Sequence, residues 1–148
     1  NDSHDARFDV FIALPPELEK GFLNAIERFA HRISSIGQIQ FIIDIEDEIQ
    51  EDDLNHMDKF NLYRIIQELF NNSLKHAKAT EFTIRVKKHN GGILIMAMDN
   101  GIGFQINEVQ KGLGIENIQY RMNMAGIEGR FESSKNKGTS VTMQLRLN

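Results

Sequence analysis

Hydrophobic positions along the chain change their period several times, and each change marks an element. Leu18, Phe22, Ile26, Phe29 and Ile33 follow at spacings of four, four, three and four, the stripe of an amphipathic helix. Pro15 and Pro16 suit its first turn, where an absent N–H has no partner to lose, and Gly37 is placed to stop it. Gln38–Ile45 reads as a strand. A second helix, about Lys59 to Ala79, is the most periodic stretch, with Leu62, Ile65, Ile66, Leu69, Phe70, Leu74 and Ala77 on a wide buried face. From Glu81 the period falls to two, with Phe82, Ile84 and Val86 alternating with Thr83, Arg85 and Lys87, a sheet with one wet face. Asn90-Gly91 is a hairpin signal, and the unbroken apolar run Ile93–Met98 suits a central strand. Residues from Asp99 to Lys111 read as loop. A third helix from about Gly112 to Ala125 carries Ile115, Ile118 and Met122 on one side, and Gly126 ends it. Glu128–Ser133 is the least regular strand; Val141, Met143, Leu145 and Leu147, alternating with polar residues, form a clear half-buried one. No internal repeat is visible. The order predicts an α+β fold, a two-layer α/β sandwich with helices on one face of a mixed sheet. Residues 1–13 lack a period and read as a junction or remnant, leaving 14–148 as one domain.

Composition narrows the class. At 148 residues and 41% apolar content, one core forms without a disulfide or structural metal. No apolar run nears the roughly 20 residues that cross a bilayer, and no signal-peptide pattern opens the chain. Cysteine is absent, which excludes thiol catalysis and Cys-based zinc sites; a cytoplasmic setting is expected. The net charge of −4 hides a division: residues 1–58 carry 4 basic and 14 acidic residues, residues 59–148 carry 13 basic and 7 acidic. Eight of the acids lie between Asp44 and Asp58, which reads as a solvated acidic loop. The basic half suits a small phosphate ligand; its modest excess and few aromatics argue against a nucleic-acid track.

Three places could carry chemistry. On the second helix Glu68, Asn72 and Lys75 stand at i, i+4 and i+7, within roughly 60° of one another, bordering the apolar face. They offer an acid or base, a neutral oxygen ligand and a cation, and an Asn oxygen beside a carboxylate suits Mg²⁺. Asp99-Asn100-Gly101-Ile102-Gly103 follows a buried strand. A carboxylate there needs a donor, which a purine's exocyclic amine would supply, while Gly101 and Gly103 would let a flat ligand approach the backbone. Lys111-Gly112-Leu113-Gly114 precedes a helix, whose N–H groups and dipole favour phosphate. Beside these three, Lys137-Gly138-Thr139 precedes the closing strand, where a turn explains the glycine and the Thr139 hydroxyl is informative only in company.

Other phosphate motifs are excluded. There is no G-x-x-x-x-G-K-[ST], the Gly112-x-Gly114 pattern lacks the third glycine of a dinucleotide fingerprint, and no His-Arg-Asp or Asp-Phe-Gly set occurs. The five histidines show no metal spacing, and only His76 falls inside a candidate site.

Together the motifs resemble a known family. Gln67-Glu68-Leu69-Phe70-Asn71-Asn72-Ser73-Leu74-Lys75-His76-Ala77 is similar to the asparagine box of the GHKL ATPases, Asp99-x-Gly101-x-Gly103 to their first glycine box, Gly112-x-Gly114-x-x-Asn117 to the second, and Gly138-Thr139 to the closing motif. Leu14-Pro15-Pro16-Glu17 and Leu62–Glu68 further resemble bacterial sensor histidine kinases of the group paired with NarL-type response regulators. The resemblance implies a Bergerat fold holding ATP and Mg²⁺. Asn72 would bind Mg²⁺, with Lys75 and His76 beside the nucleotide. Asp99 would accept from the adenine amine, and Gly101 and Gly103 would admit the base. Gly112, Leu113 and Gly114 would form the phosphate-covering lid, Thr139 would approach adenine through water, and Glu68 would assist the attacking group in γ-phosphoryl transfer.

In this family the acceptor histidine lies on a dimerising helical hairpin upstream of Leu-Pro-Pro-Glu. His4-Asp5 resembles the start of that motif, but the eight residues before Leu14 are too few for two helices. The expected partners are therefore ATP, a phosphoacceptor helical domain of the same kinase as a homodimer, and a downstream response regulator, with no nucleic acid and no direct membrane contact. An anti-sigma-factor-type serine kinase and a non-catalytic nucleotide-binding switch module are the alternatives. The Leu-Pro-Pro-Glu helix and the intact Glu68 weigh against them.

Overall fold

Residues 18, 20–37, 39–75, 78–102, 115–133 and 136–146 are described by the computed structural model. In chain order they form α1 (Phe22–Ile36), β1 (Gln40–Ile45), a 3-10 turn at Glu51–Asp53, α2 (His56–Lys75), β2 (Glu81–His89), β3 (Gly92–Asp99), α3 (Ile115–Ala125), β4 (Glu128–Ser133) and β5 (Thr139–Arg146). The strands make one sheet in the order β1-β2-β3-β5-β4, with β1 parallel to β2 and the remaining neighbours antiparallel. This is the mixed α+β sheet that the pattern predicts, with the Ile93–Met98 run in its central strand. Residues 1–17, which include Pro15 and Pro16, lie outside the described residues, as does the start of the third helix as read from the sequence.

Alternation places the core. Phe82, Ile84 and Val86 of β2, and Val141, Met143 and Leu145 of β5, are buried in one hydrophobic cluster with Ile93 and Ile95 of β3. Leu62, Ile65 and Ile66 of α2 and Ile118 and Met122 of α3 close the cluster from the helical layer. The β2–β3 turn has Asn90 at φ 52° and Gly91 at φ 74°, both left-handed as a tight two-residue hairpin requires. Asn55 starts α2 by accepting the Asp58 N–H on Oδ1 at 2.8 Å.

Two expectations are corrected. Leu74, assigned to the buried face of α2, is 37% exposed, whereas Ser73 is 2% exposed. Ser73 continues the Leu62–Ile66–Leu69 line at i+11, i+7 and i+4, and the next residue is rotated about 100° away from it. The acidic segment is also not wholly solvated. Asp44, Asp47, Glu48 and Asp52 are exposed, but Glu51 and Asp53 are half-buried and Asp58 is buried. Burial pushes the Asp58 carboxyl up, and the Asn55 side chain only partly offsets this.

Glu51 caps α1 from outside that helix. Gly21, at its N-terminus, has no side chain to do so and sits at φ 101°. The Glu51 carboxylate accepts the Phe22 N–H at 2.7 Å and the Leu23 N–H at 2.9 Å, and pairs with the Lys59 ammonium at 3.0 Å. A methyl at Gly21 would come within 2.7 Å of Glu51 Cδ, so the glycine gives the carboxylate its room. Burial alone pushes Glu51 up, but the two backbone donors and Lys59 outweigh it and leave the carboxyl below its ordinary 4.5. A lowered folded-state value means stability that is present above 4.5 and lost as the pH falls through the folded value. Glu51→Gln should therefore lower stability by about 1–2 kcal/mol at neutral pH, with the deficit shrinking in acid. Urea melts of both proteins at pH 7 and pH 3.5 read this directly; an equal deficit at both would assign the loss to packing.

Candidate functional site

The second half of α2 is held against the sheet by aromatic packing. Phe70 contacts Phe29 of α1 (5.4 Å between centroids), Phe41 of β1 (5.7 Å) and Phe82 of β2 (5.6 Å), and Phe41 meets Phe29 and Phe82 edge-on. Such ring pairs contribute beyond their buried area and fix the rotation of the helix as well as its position. With Phe70 turned inward, Glu68 and Asn72 fall half-buried at the rim of the helical layer. The backbone of Lys75 is the last turn of α2; its side chain lies outside the described atoms, and His76 outside the described residues.

Asp99, the last residue of β3, stands beside that helix. Its Oδ2 accepts the Ser73 hydroxyl at 2.6 Å, and its Oδ1 accepts the N–H groups of Gly101 at 2.9 Å and Thr139 at 3.1 Å. The carboxylate at a strand end therefore does not wait for a ligand to supply its first donor. Three elements, α2, the loop after β3 and the start of β5, have already fixed its orientation. Asn100 serves the frame: its Oδ1 accepts from Thr80 N and Glu81 N, and its Nδ2 donates to Thr80 Oγ1, each at 2.9 Å. This ties the end of β3 to the start of β2.

Gly138 makes the approach of β5 possible. It has φ 77°, and a side-chain carbon there would strike the carbonyl oxygen of Asp99. Thr139 is half-buried, and its hydroxyl lies 2.9 Å from Ser133 Oγ across the β4–β5 pair. The Asn136 N–H donates to the Ile102 carbonyl, joining the loop after β3 to the β4–β5 turn. An open cleft of about 560 Å³ borders Asp99, with Phe131, Ser133, Lys137, Gly138 and Thr139 among its lining.

Arg121 links α3 to α2. Its guanidinium and that of Arg64 each lie 5.7 Å from the Phe60 ring centroid. Burial and the neighbouring Arg64 push Arg121 below its ordinary value, while Glu68 and Tyr120 pull the other way. Arg121 thus stacks on α2 within electrostatic range of Glu68.

The structure brings Asp99, Gly101 and Thr139 together at one carboxylate, which Ser73 ties to α2, the helix that carries Glu68 and Asn72. Gly103, Gly112, Leu113 and Gly114 lie outside the described residues. Sequence reasoning overlooked Ser73 as part of the site, and it placed Gly138 in the closing motif without a role of its own. A polar residue continuing the otherwise apolar line of Leu62, Ile66 and Leu69 was the available signal for Ser73. Among the described residues no three His, Cys, Asp or Glu side chains cluster around a metal-sized space.

Comparison with known proteins identifies the family and the fold. The model of the "Histidine kinase-, DNA gyrase B-, and HSP90-like ATPase" family matches residues 57–148, and the chain belongs to that family. Within it the relatives are sensor kinases. Sensor histidine kinase LiaS of Bacillus subtilis is 29% identical over 104 residues, covering 70% of this chain and 29% of that protein. Sensor protein VraS of Staphylococcus saprophyticus is 32% identical over 89 residues, 60% of this chain and 26% of that protein. An uncharacterized sensor-like histidine kinase of Chloroflexus aurantiacus is 27% identical over 95% of this chain and 25% of its own length. The chain thus spans between a quarter and three-tenths of these relatives. The blue-light activated histidine kinase of Erythrobacter litoralis shares the fold at a TM-score of 0.65 and 18% identity, over 83% of this chain and 41% of that one. Acinetobacter baumannii AdeS does so at 0.66 and 11%, over 86% and 64%. The class is therefore a histidine-kinase-type ATPase domain with an α+β fold.

Proposed function

We propose that this chain binds ATP with Mg²⁺ and transfers the γ-phosphoryl group to a histidine on a helical domain of the same kinase. The observation that supports this most is the Asp99 carboxylate, held by three protein donors beside the Glu68–Asn72 helix. In this reading the adenine amine donates to Asp99 and Thr139 flanks the base through water. Lys75, His76 and the Gly112-Leu113-Gly114 segment attend the phosphates, and Gly101 and Gly103 admit the base.

The oxygen donor of Asn72 fits a hard cation that keeps several waters and shares phosphate oxygens. When bound, Mg²⁺ neutralises charge on the phosphates. This chain's own residues bind and orient. Glu68 takes the ring proton of the acceptor histidine as the new N–P bond forms and the bond from phosphorus to the ADP oxygen breaks. Most of the rate in such a transfer comes from positioning and charge stabilisation, so the domain alone should turn over slowly.

A response regulator would receive the phosphoryl group next, and a cytoplasmic location follows from that role. No helix among the described residues is long and apolar enough to cross a membrane. The test is calorimetric titration of ADP and an unhydrolysable ATP analogue, with and without Mg²⁺, followed by phosphotransfer in a kinase that carries this chain. Binding that tightens with Mg²⁺, and an acid-labile phosphoryl product lost in Asn72→Ala, are expected. An acid-stable product would favour a serine acceptor, and binding without transfer a switch module.

A further inference from the structure

Ser73 is a polar side chain on the buried line of α2, 2% exposed. Its one hydroxyl hydrogen faces two acceptors, the Leu69 carbonyl at 3.1 Å and Asp99 Oδ2 at 2.6 Å. The shorter contact is to a charged oxygen, and charge-assisted hydrogen bonds are about twice as strong as neutral ones. A carboxylate has about four acceptor sites, two on each oxygen. Both sites of Asp99 Oδ1 are occupied, by the N–H groups of Gly101 and Thr139. Ser73 fills one of the two on Oδ2.

We propose that Ser73 is the positioning residue for base recognition. It pins Oδ2 so that Asp99 offers a single remaining acceptor site, suited to one N–H donor such as the 6-amino group of a purine. This rests on the reading of Asp99 as the base receptor and deepens it. The hydroxyl touches no ligand; it sets which oxygen receives the base and stops the carboxylate rotating away. A 6-oxo purine presents an oxygen to the same site and is repelled.

The test pairs ADP with IDP, which differs from it at the 6-position of the base, in calorimetric titrations of this chain. Wild type, Ser73→Ala, Ser73→Thr and Asp99→Asn are compared, with thermal melts alongside. Ser73→Ala should weaken ADP about tenfold and IDP by less than about twofold, the scale of one hydrogen bond to a charged group. Ser73→Thr, which keeps the hydroxyl, should retain the ADP-to-IDP ratio. An unchanged ratio in folded Ser73→Ala overturns the inference, as does an equal loss of both ligands with a lower melting temperature, which marks a merely structural role. If Ser73→Ala does not fold, Ser73→Cys, close in size and a weak donor, is read by the same ratio. Asp99→Asn separates the two levels. Its loss of ADP with Ser73→Ala unchanged leaves the base reading standing alone, and its retention of ADP removes both.

Discussion

Asp99→Asn should lower the affinity of this chain for ADP by about a hundredfold while leaving its fold intact, the scale of a lost charge-assisted hydrogen bond and an unpaired polar group. The direction follows from the donors around the side chain. Oδ1 receives two N–H groups, from Gly101 and Thr139, so the amide oxygen must take that place. The amide NH2 then occupies the position of Oδ2, where it meets the Ser73 hydroxyl and the incoming amine, donor against donor. Ser73 can turn its hydrogen to the Leu69 carbonyl, 3.1 Å away, so the helix loses no satisfied hydroxyl. The loss therefore falls on the ligand. Calorimetric titration with circular dichroism as the fold control measures it, and an affinity within threefold of wild type would remove Asp99 from base recognition.

Glu68→Gln should slow phosphotransfer by about a hundredfold or more, the usual worth of a positioned general base, and leave ADP affinity within about twofold. Glutamine keeps the size and the rim position on α2 but cannot take a proton. Arg121, stacked on Phe60 beside Arg64, should hold α3 in the same place in both proteins. Single-turnover transfer from radiolabelled ATP, in a kinase that carries this chain and its acceptor domain, gives the rate. Parallel losses of rate and of ADP affinity would make Glu68 a binding residue, and an unchanged rate would end its assignment as the base.

These two residues differ in how they could be read. Glu68 and Asn72 share a stripe because they are four apart on a helix whose apolar period is plain, so their common face was legible from spacing. The hairpin at Asn90-Gly91 and the alternation of β2 and β5 were legible in the same way, since each depends on neighbours within a few residues. Asp99 was legible only as a carboxylate after a buried strand. Its partners are 26 residues away at Ser73 and 40 residues away at Thr139, and no local pattern pairs them. Leu74 and Ser73 exchanged their expected roles for a related cause. The period marks a wide apolar arc, and the packing of Phe70 among Phe29, Phe41 and Phe82 decides which part of it faces inward.

The acidic segment shows the same division. Its charge count and lack of Lys or Arg correctly indicated solvated residues at Asp44, Asp47, Glu48 and Asp52. Glu51 differs because a helix N-terminus that follows a glycine leaves N–H groups to be satisfied, and the chain folds back 28 residues to meet them.

By itself the sequence determined the identity and order of the elements, the α+β class and the chemistry at hand, because hydrophobic period and turn residues act over a few positions. Tertiary structure alone decided that β5 enters between β3 and β4, that Glu51 caps a helix distant in sequence, and that Ser73, Gly101 and Thr139 converge on one carboxylate. Buried polar groups must find donors wherever the packed chain places them, and that placement is a property of the whole core, whose long-range contacts no short window of residues contains.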